Sequence, residues 1–204
     1  MNPSKKKIIE NSFCLFLTKS YESVTLREIQ EATKTSRGAI YHHFTSKEEI
    51  YEDTINEYLI PAFSSYSTST EEDKNSLLNT IYSSIKYRQS HINILKEVTN
   101  SKITDYDFFK FIYQAVEHSK NFNEKANLIV EKDFKSWRNC IQNAMRKGEI
   151  RSDIDIDFTA QYFLSAPLGL GNLSAFNKYI HIDIKDTRSI YLKFYNLLNK
   201  KSIY

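Results

Sequence analysis

Residues 35–44 read T-S-R-G-A-I-Y-H-H-F, and the reading of this stretch decides the fold. Ile40 and Phe44 stand at i and i+4, so they anchor one face of a short helix against neighbours. Ser36, Arg37, Gly38, Tyr41 and His42 fall on the other face, a set of small, basic and hydrogen-bonding groups. Thr35 or Ser36 is a natural N-cap. A helix pinned inside and polar and basic outside suits the major groove of DNA. Taken alone, these ten residues suit an ordinary exposed amphipathic helix better. Their neighbours change that.

Upstream, Thr25 to Glu28 reads as a capping box that opens a helix carrying Leu26, Ile29 and Ala32, closed by a tight turn at Thr33 and Lys34. Before it, residues 4–19 form a first helix, with Ser4 able to cap it and Ile9, Phe13, Phe16 and Leu17 as its stripe. Downstream, Ser46 to Glu49 reads as a second capping box, opening a helix to about Pro61 whose early acids favour the positive end of the helix dipole. Three short helices with a tight turn between the second and third make a helix-turn-helix.

The totals agree with that arrangement without proving it. The 204 residues, 41% hydrophobic and 14% aromatic, are enough for one large domain or two modest ones and exclude global disorder. With 4 Gly and 3 Pro, long runs lack turn signals, which favours helices over strands. The net charge of +3 is small, so its distribution matters more. Residues 1–47 hold eight Lys or Arg against four acids, and the sign then flips through Glu48, Glu49, Glu52, Asp53 and Glu57. Cys14 and Cys140 are too far apart in sequence for a disulfide framework or a zinc motif and read as core thiols. With no signal-peptide pattern at the N-terminus, the expected compartment is the cytoplasm.

The rest of the chain is periodic in the same helical way, so the expected fold class is all-α. A polar loop at 64–73 separates the first block from the remainder, with Thr70 as the expected cap of a helix carrying Leu77, Leu78, Ile81, Tyr82 and Ile85. A shorter segment is expected at His91–Asn100. Asp105 to Ser119 shows an apolar face of Phe108, Phe109, Ile112, Ala115 and Val116. Asn123 to Lys147 carries Val130, Phe134, Trp137, Ile141 and Ala144, and Gly148 follows Arg146 and Lys147 as a C-terminal signature. Asp157 to about Asn177 has no charge from Phe158 onward. Its length would allow a membrane span, but Thr159, Gln161, Ser165, Pro167, Asn172 and Ser174 interrupt it, and a helix buried by its own subunit and a partner fits better. Asp186 to about Lys200 is the last helix, with Ile190, Tyr191, Phe194, Leu197 and Leu198 inward.

The run from Val24 to Ile50 resembles the DNA-binding domain of TetR-family transcriptional regulators, a likeness covering residues 8–55. It is carried by Thr25 at the start of helix two, by Ser36, Arg37, Gly38, Tyr41, His43 and Phe44, and by Lys47 at the next helix start. Three positions depart from that pattern: Ser20 and Lys34 where glycine is usual, and Gln30 where alanine is usual. The turn at Lys34 often needs a left-handed backbone, which costs a residue with a side chain about 1 kcal/mol or more. The resemblance implies a three-helix head followed by a helical ligand-binding and dimerisation domain, whose last two helices form a four-helix bundle with a second copy.

Arg37 is the first candidate for a base or phosphate contact, because a guanidinium can grip a guanine edge through two hydrogen bonds. Thr25, Ser36, Tyr41 and Lys47 suit phosphates, with Thr35 beside them at the helix start. Gly38 and Ala39 allow close approach, His42 is within reach of DNA, and His43 packs beside Phe44. Lys5, Lys6 and Lys7 read equally as an arm over the backbone or a solvated terminus. Tyr82, Phe108, Phe109, Tyr113, His118, Phe134, Trp137 and Met145 are candidate walls of a cavity for an apolar or aromatic effector, although each one alone reads as plain core. No nucleophile elbow, phosphate loop or metal-spaced cluster is present, so neither an enzyme, a cofactor nor a metal is expected.

The expectation is therefore a DNA-binding transcriptional regulator with a head at residues 1–60 and a C-terminal domain at 61–204. It would act as a ligand-released repressor, homodimeric on a palindromic operator and not on a membrane. The alternative is a DNA-bound structural or division-control protein whose C-terminal domain binds a protein.

Overall fold

The computed structural model describes residues 2–64, 75–176 and 184–199, except the side chains of residues 184 and 185. The first helix, α1 (Pro3–Thr18), is capped by Asn2 rather than Ser4. Ser4 instead donates its N–H to Asn2 Oδ1 at 2.9 Å, and Pro3 takes the first position, where a missing N–H costs nothing. Helix α2 (Leu26–Thr33) opens on the expected box: Glu28 N–H donates to Thr25 Oγ1 at 3.2 Å and Thr25 N–H to Glu28 Oε2 at 2.8 Å. It closes through Lys34 at φ 51° and ψ 39°, with Lys34 N–H on the Glu31 carbonyl and Thr35 N–H on the Gln30 carbonyl. That is a Schellman closure with lysine in the left-handed place that glycine fills most easily. Helix α3 (Arg37–His43) is shorter than the expected 35–44 and is capped by Ser36, which accepts from Ala39 N–H at 3.1 Å.

Helix α4 (Lys47–Thr54) is capped by Ser46, but its box is not closed. Glu49 turns its carboxylate to the N–H and hydroxyl of Thr45, at 2.7 and 2.9 Å. The helix also passes the expected end, running through a π-helical turn, Ile55–Leu59, into α5 (Ile60–Phe63). Pro61 explains the wide turn. It has no N–H for the Glu57 carbonyl four residues back, and its ring would clash there, so the turn before it opens.

The two segments expected at 77–85 and 91–100 are one helix, α6 (Leu77–Val98), since no glycine or proline lies between them. Ser76 caps it; Thr70 lies outside the described residues. Helix α7 (Asp105–His118) opens on a Thr104–Asp107 capping box. Helix α8 (Phe122–Arg146) ends at Gly148, φ 70°, with Gly148 N–H on the Met145 carbonyl and Glu149 N–H on the Ala144 carbonyl. Helix α9 (Ile156–Ala175) is capped by Asp155, and α10 (Ile184–Leu198) completes the described chain.

Two apolar clusters hold these helices. The first joins α1 to α4 and the π turn with Leu95 of α6, Phe108, Phe111 and Ala115 of α7, and Phe122 of α8. It is stitched by Phe13, which stacks on Tyr58 at 4.4 Å and meets Phe111 edge-on at 5.4 Å. The head therefore shares its core with the body, and residue 60 is not a break in packing. The second joins Leu77 and Ile81 to Trp137, Ile141, Phe163, Tyr191 and Leu198. Among the described residues, no helix is long and apolar enough to cross a membrane.

Candidate functional site: the reading head and the cavity behind it

On α3, Ile40 and Phe44 are buried, while Ser36, Arg37, Gly38, Tyr41 and His42 are exposed. Ala39 and Thr35 are half-buried, and the Thr35 hydroxyl sits 2.6 Å from that of Thr33, which bonds the Ile29 carbonyl. Arg37 Nη2 donates to the Tyr41 hydroxyl at 3.4 Å, and its guanidinium lies 5.4 Å from the Tyr41 ring. The two residues present one polar edge. A Cβ added at Gly38 would meet nothing closer than Ser36 Oγ at 4.0 Å, so the fold itself does not require glycine there. Arg27 and Gln30 of α2 border the same face, lining a groove with Leu26, Arg37, Ile40 and Tyr41. The sequence reading missed both, although they stand at i and i+3 on the side of α2 away from buried Ile29.

Thr25 is exposed beside α3, but its hydroxyl is already engaged in the box with Glu28. The Lys19 ammonium, with the Thr25 N–H and hydroxyl, holds the Glu28 carboxyl down to about 2. Lys47 is not a free surface charge. It donates to the Tyr21 carbonyl at 2.9 Å with its ammonium 4.2 Å from the Tyr21 ring, leaving further N–H donors for a phosphate. Lys5, Lys6 and Lys7 lie within α1, and Lys5 pairs with Asp53 at 2.7 Å, so they do not form an arm.

Tyr21 is also where head meets body. Its N–H donates to Gln114 Oε1 of α7 at 2.7 Å, its hydroxyl to Glu48 at 3.0 Å, and its ring stacks on His118 at 5.0 Å. His118 in turn holds Glu22 at 2.7 Å. His118, expected in an effector cavity, belongs to this junction.

The cavity lies elsewhere than the aromatic stripe of α8. Trp137 is fully buried, stacked on Phe163 at 4.8 Å, and Phe134 and Met145 pack against the same cluster. Tyr82 and Tyr113 are exposed, the latter lining an outer groove between α7 and α9. Of the eight candidates, Phe108 and Phe109 line a cavity of about 90 Å³. Pro61 and Ala62 of α5 form one side, and Tyr87, Arg88, His91, Ile92 and Leu95 of α6 another. Asp105 of α7, Pro167, Leu168 and Gly171 of α9, and Thr187 of α10 close it. Periodicity could not find it, because it is assembled from five helices.

Two cavity residues reach the π turn and its continuation. His91 Nε2 donates to the Tyr58 carbonyl at 3.1 Å, and the Tyr87 hydroxyl to the Pro61 carbonyl at 3.0 Å. Among the described residues, no group of three or more His, Cys, Asp or Glu could hold a metal.

Residues 8–54 match the family model of bacterial regulatory proteins, TetR family. The chain is 21% identical over 164 residues to the HTH-type transcriptional repressor KstR2 of Mycolicibacterium smegmatis, covering 78% of this chain and 73% of that protein. It is 39% identical over 51 residues to IcaR of Staphylococcus aureus, the negative regulator of the biofilm operon icaADBC, covering 25% of this chain and 27% of that one. Among solved structures, SmeT, repressor of the Stenotrophomonas maltophilia multidrug efflux pump SmeDEF, matches with a TM-score of 0.65 at 16% identity, over 98% of this chain and 93% of that chain. SmeT has also been solved as a complex with triclosan.

Proposed function

The chain belongs to the TetR family of transcriptional regulators, and on that premise we propose that it is a ligand-released repressor, acting in the cytoplasm as a homodimer on a palindromic operator. The observation that carries this reading is α3, inwardly fixed by Ile40 and Phe44 and outwardly bare at Ser36, Arg37, Gly38, Tyr41 and His42. Arg37 reads bases, while Ser36, Tyr41 and Lys47 contact phosphates and set the register, with Thr25, Thr35, Ala39 and His42 at the margins. Arg27 and Gln30 extend the same surface.

The repressors KstR2 and IcaR and the complex of SmeT with triclosan support the choice of repressor and of a small effector. The effector occupies the cavity bounded by Phe108 and Phe109. Tyr87 and His91 form part of that wall and also hold the carbonyls of Pro61 and Tyr58, so a change in the cavity shifts the π turn and, through α4, the head. Release of DNA requires the effector to favour the head separation that does not fit the operator. Residues 1–60 read DNA and 61–204 bind effector and partner, a division of labour across one shared core.

Selection of bound sequences from random DNA tests the reading. A palindrome with half-sites about one helical turn or a multiple apart is expected. Recovery of no enriched sequence, or of an asymmetric one, would overturn it.

A further inference from the structure

We propose that the effector is a slender apolar compound ending in a carboxylate, with the carboxylate held by Arg88. This rests on the reading of the cavity as the effector site. Most of the cavity wall is hydrocarbon: Leu95, Phe108, Phe109 and Leu168 among others. Its polar groups are largely committed elsewhere. Tyr87 donates to Pro61, His91 to Tyr58, and Asp105 accepts from the Ser174 hydroxyl at the α7–α9 side. Burial keeps His91 neutral at ordinary pH, its pKa pushed down to about 4, which leaves Arg88 as the positive charge among the described wall residues.

Arg88 also keeps an unused donor: its Nε is buried and has no hydrogen-bond partner among the described residues. A buried N–H of a charged group without an acceptor is costly, and a carboxylate brought up to the same guanidinium offsets part of that cost through its charge. The buried Asp133 is close enough for both charges to act on Tyr87 and Tyr191. A guanidinium has five N–H donors, so it serves Asp133 and a ligand carboxylate together. Asp105 disfavours an anion near α7, which sets the orientation: carboxylate toward Arg88, hydrocarbon toward Phe108 and Phe109. The small volume favours a narrow chain or a single ring over a polycyclic body.

The test uses the full-length wild-type protein with hexanoate, octanoate and decanoate, the alcohols and amines of the same chain lengths, and calorimetric melting with titration. The acids should raise the melting temperature and bind at least about tenfold more tightly than their alcohols and amines. Leu168→Trp, which fills the cavity, should abolish their binding, and Arg88→Gln should remove the preference for acid over alcohol. If Arg88→Gln fails to fold, the wild-type order of affinities decides alone. Alcohols or amines that bind as tightly as the acids, and lose binding in Leu168→Trp, would overturn the carboxylate while leaving the cavity as effector site. Binding that survives Leu168→Trp, or no binding by any compound of the series, would overturn both.

Discussion

His91 Nε2 donates to the carbonyl oxygen of Tyr58 at 3.1 Å, tying the middle of α6 to the π-helical turn that continues α4. Burial lowers the imidazole pKa from 6.5 to about 4, against the pull of the Tyr58 carbonyl and with help from the nearby Arg88 charge. The unfolded chain therefore takes up a proton at His91 below about 6.5, and the folded chain does so only near 4. The stabilisation is fully present above the unfolded value and is lost as pH falls through that window. The loss is on the order of 3 kcal/mol. Urea unfolding at about pH 7 and about pH 5 should register about 2 kcal/mol of it, and His91→Gln should flatten the difference. Equal slopes in both proteins would show that His91 is not the group responsible.

Lys34 sits in the left-handed region at φ 51°, in the turn that sets α3 against α2. Lys34→Gly removes a steric cost of about 1–2 kcal/mol, partly offset by the larger entropy of glycine in the unfolded chain. A net gain of a few tenths to about 1 kcal/mol in unfolding free energy is expected. A loss of stability would mean that the lysine stem contributes packing that outweighs the strain.

Gly38 separates folding from reading. A methyl added there touches nothing within the chain closer than Ser36 Oγ, and alanine is the better helix former by about 0.5–1 kcal/mol. Gly38→Ala should therefore melt higher than wild type yet bind operator more weakly, because the added carbon occupies the space into which the groove floor comes. Unfolding and DNA binding measured on one preparation give the two opposite signs. An unchanged operator affinity would move the close approach away from Gly38.

Arg37→Ala should weaken specific binding by about 1–3 kcal/mol and relax base preference at one position per half-site. Lys47→Ala should weaken all sequences alike and flatten the salt dependence. It should also lower stability, since Lys47 holds the Tyr21 carbonyl at the joint between head and body. Competition binding against single-base operator variants separates the two effects.

What the sequence made legible was what is local. Thr25, Ser36, Ser46 and Gly148 each mark a helix boundary through chemistry within a few residues, and the structure puts boundaries at all four. Asn2, Ser76 and the Thr45–Glu49 contact show how far such marks mislead when several polar residues compete for one helix end. Trp137, Ile141 and Ala144 are buried as their spacing predicts, but periodicity reports only burial, and a cavity wall and a solid core are equally buried. Phe111 is fully buried and Val116 is 48% exposed, so the inward face of α7 is turned slightly from the one its apolar spacing suggests. Glu149 carries no local mark of its role. It accepts from Ser76 Oγ and from the N–H groups of Leu77 and Leu78, a cap supplied from 71 to 73 residues away.

Dimer formation through α9 and α10 is tested by a substitution that faces away from the chain's own core. Helix α9 carries no charge from Phe158 to its end, yet Phe158 and Leu173 are each 65% exposed, Phe176 just beyond is 84% exposed, and Leu197 of α10 is 68% exposed. Single exposed apolar residues are ordinary, but four large ones on or directly after two consecutive helices favour burial by a second copy. Gly171, within the same uncharged stretch, faces inward: a Cβ there would lie 3.0 Å from Phe109 Cε2, so Gly171→Arg would disrupt the chain's own packing. Leu173→Arg places the charge outside. In a dimer it buries an unpaired guanidinium and drives dissociation, while an isolated subunit keeps its helicity and its melting behaviour. Operator affinity should fall by far more than the loss of one contact, because two separate heads forfeit the effective concentration that linkage provides. Light scattering on both proteins at micromolar concentration decides: a wild type that is already monomeric, or a Leu173→Arg variant that remains dimeric, removes this face as the interface.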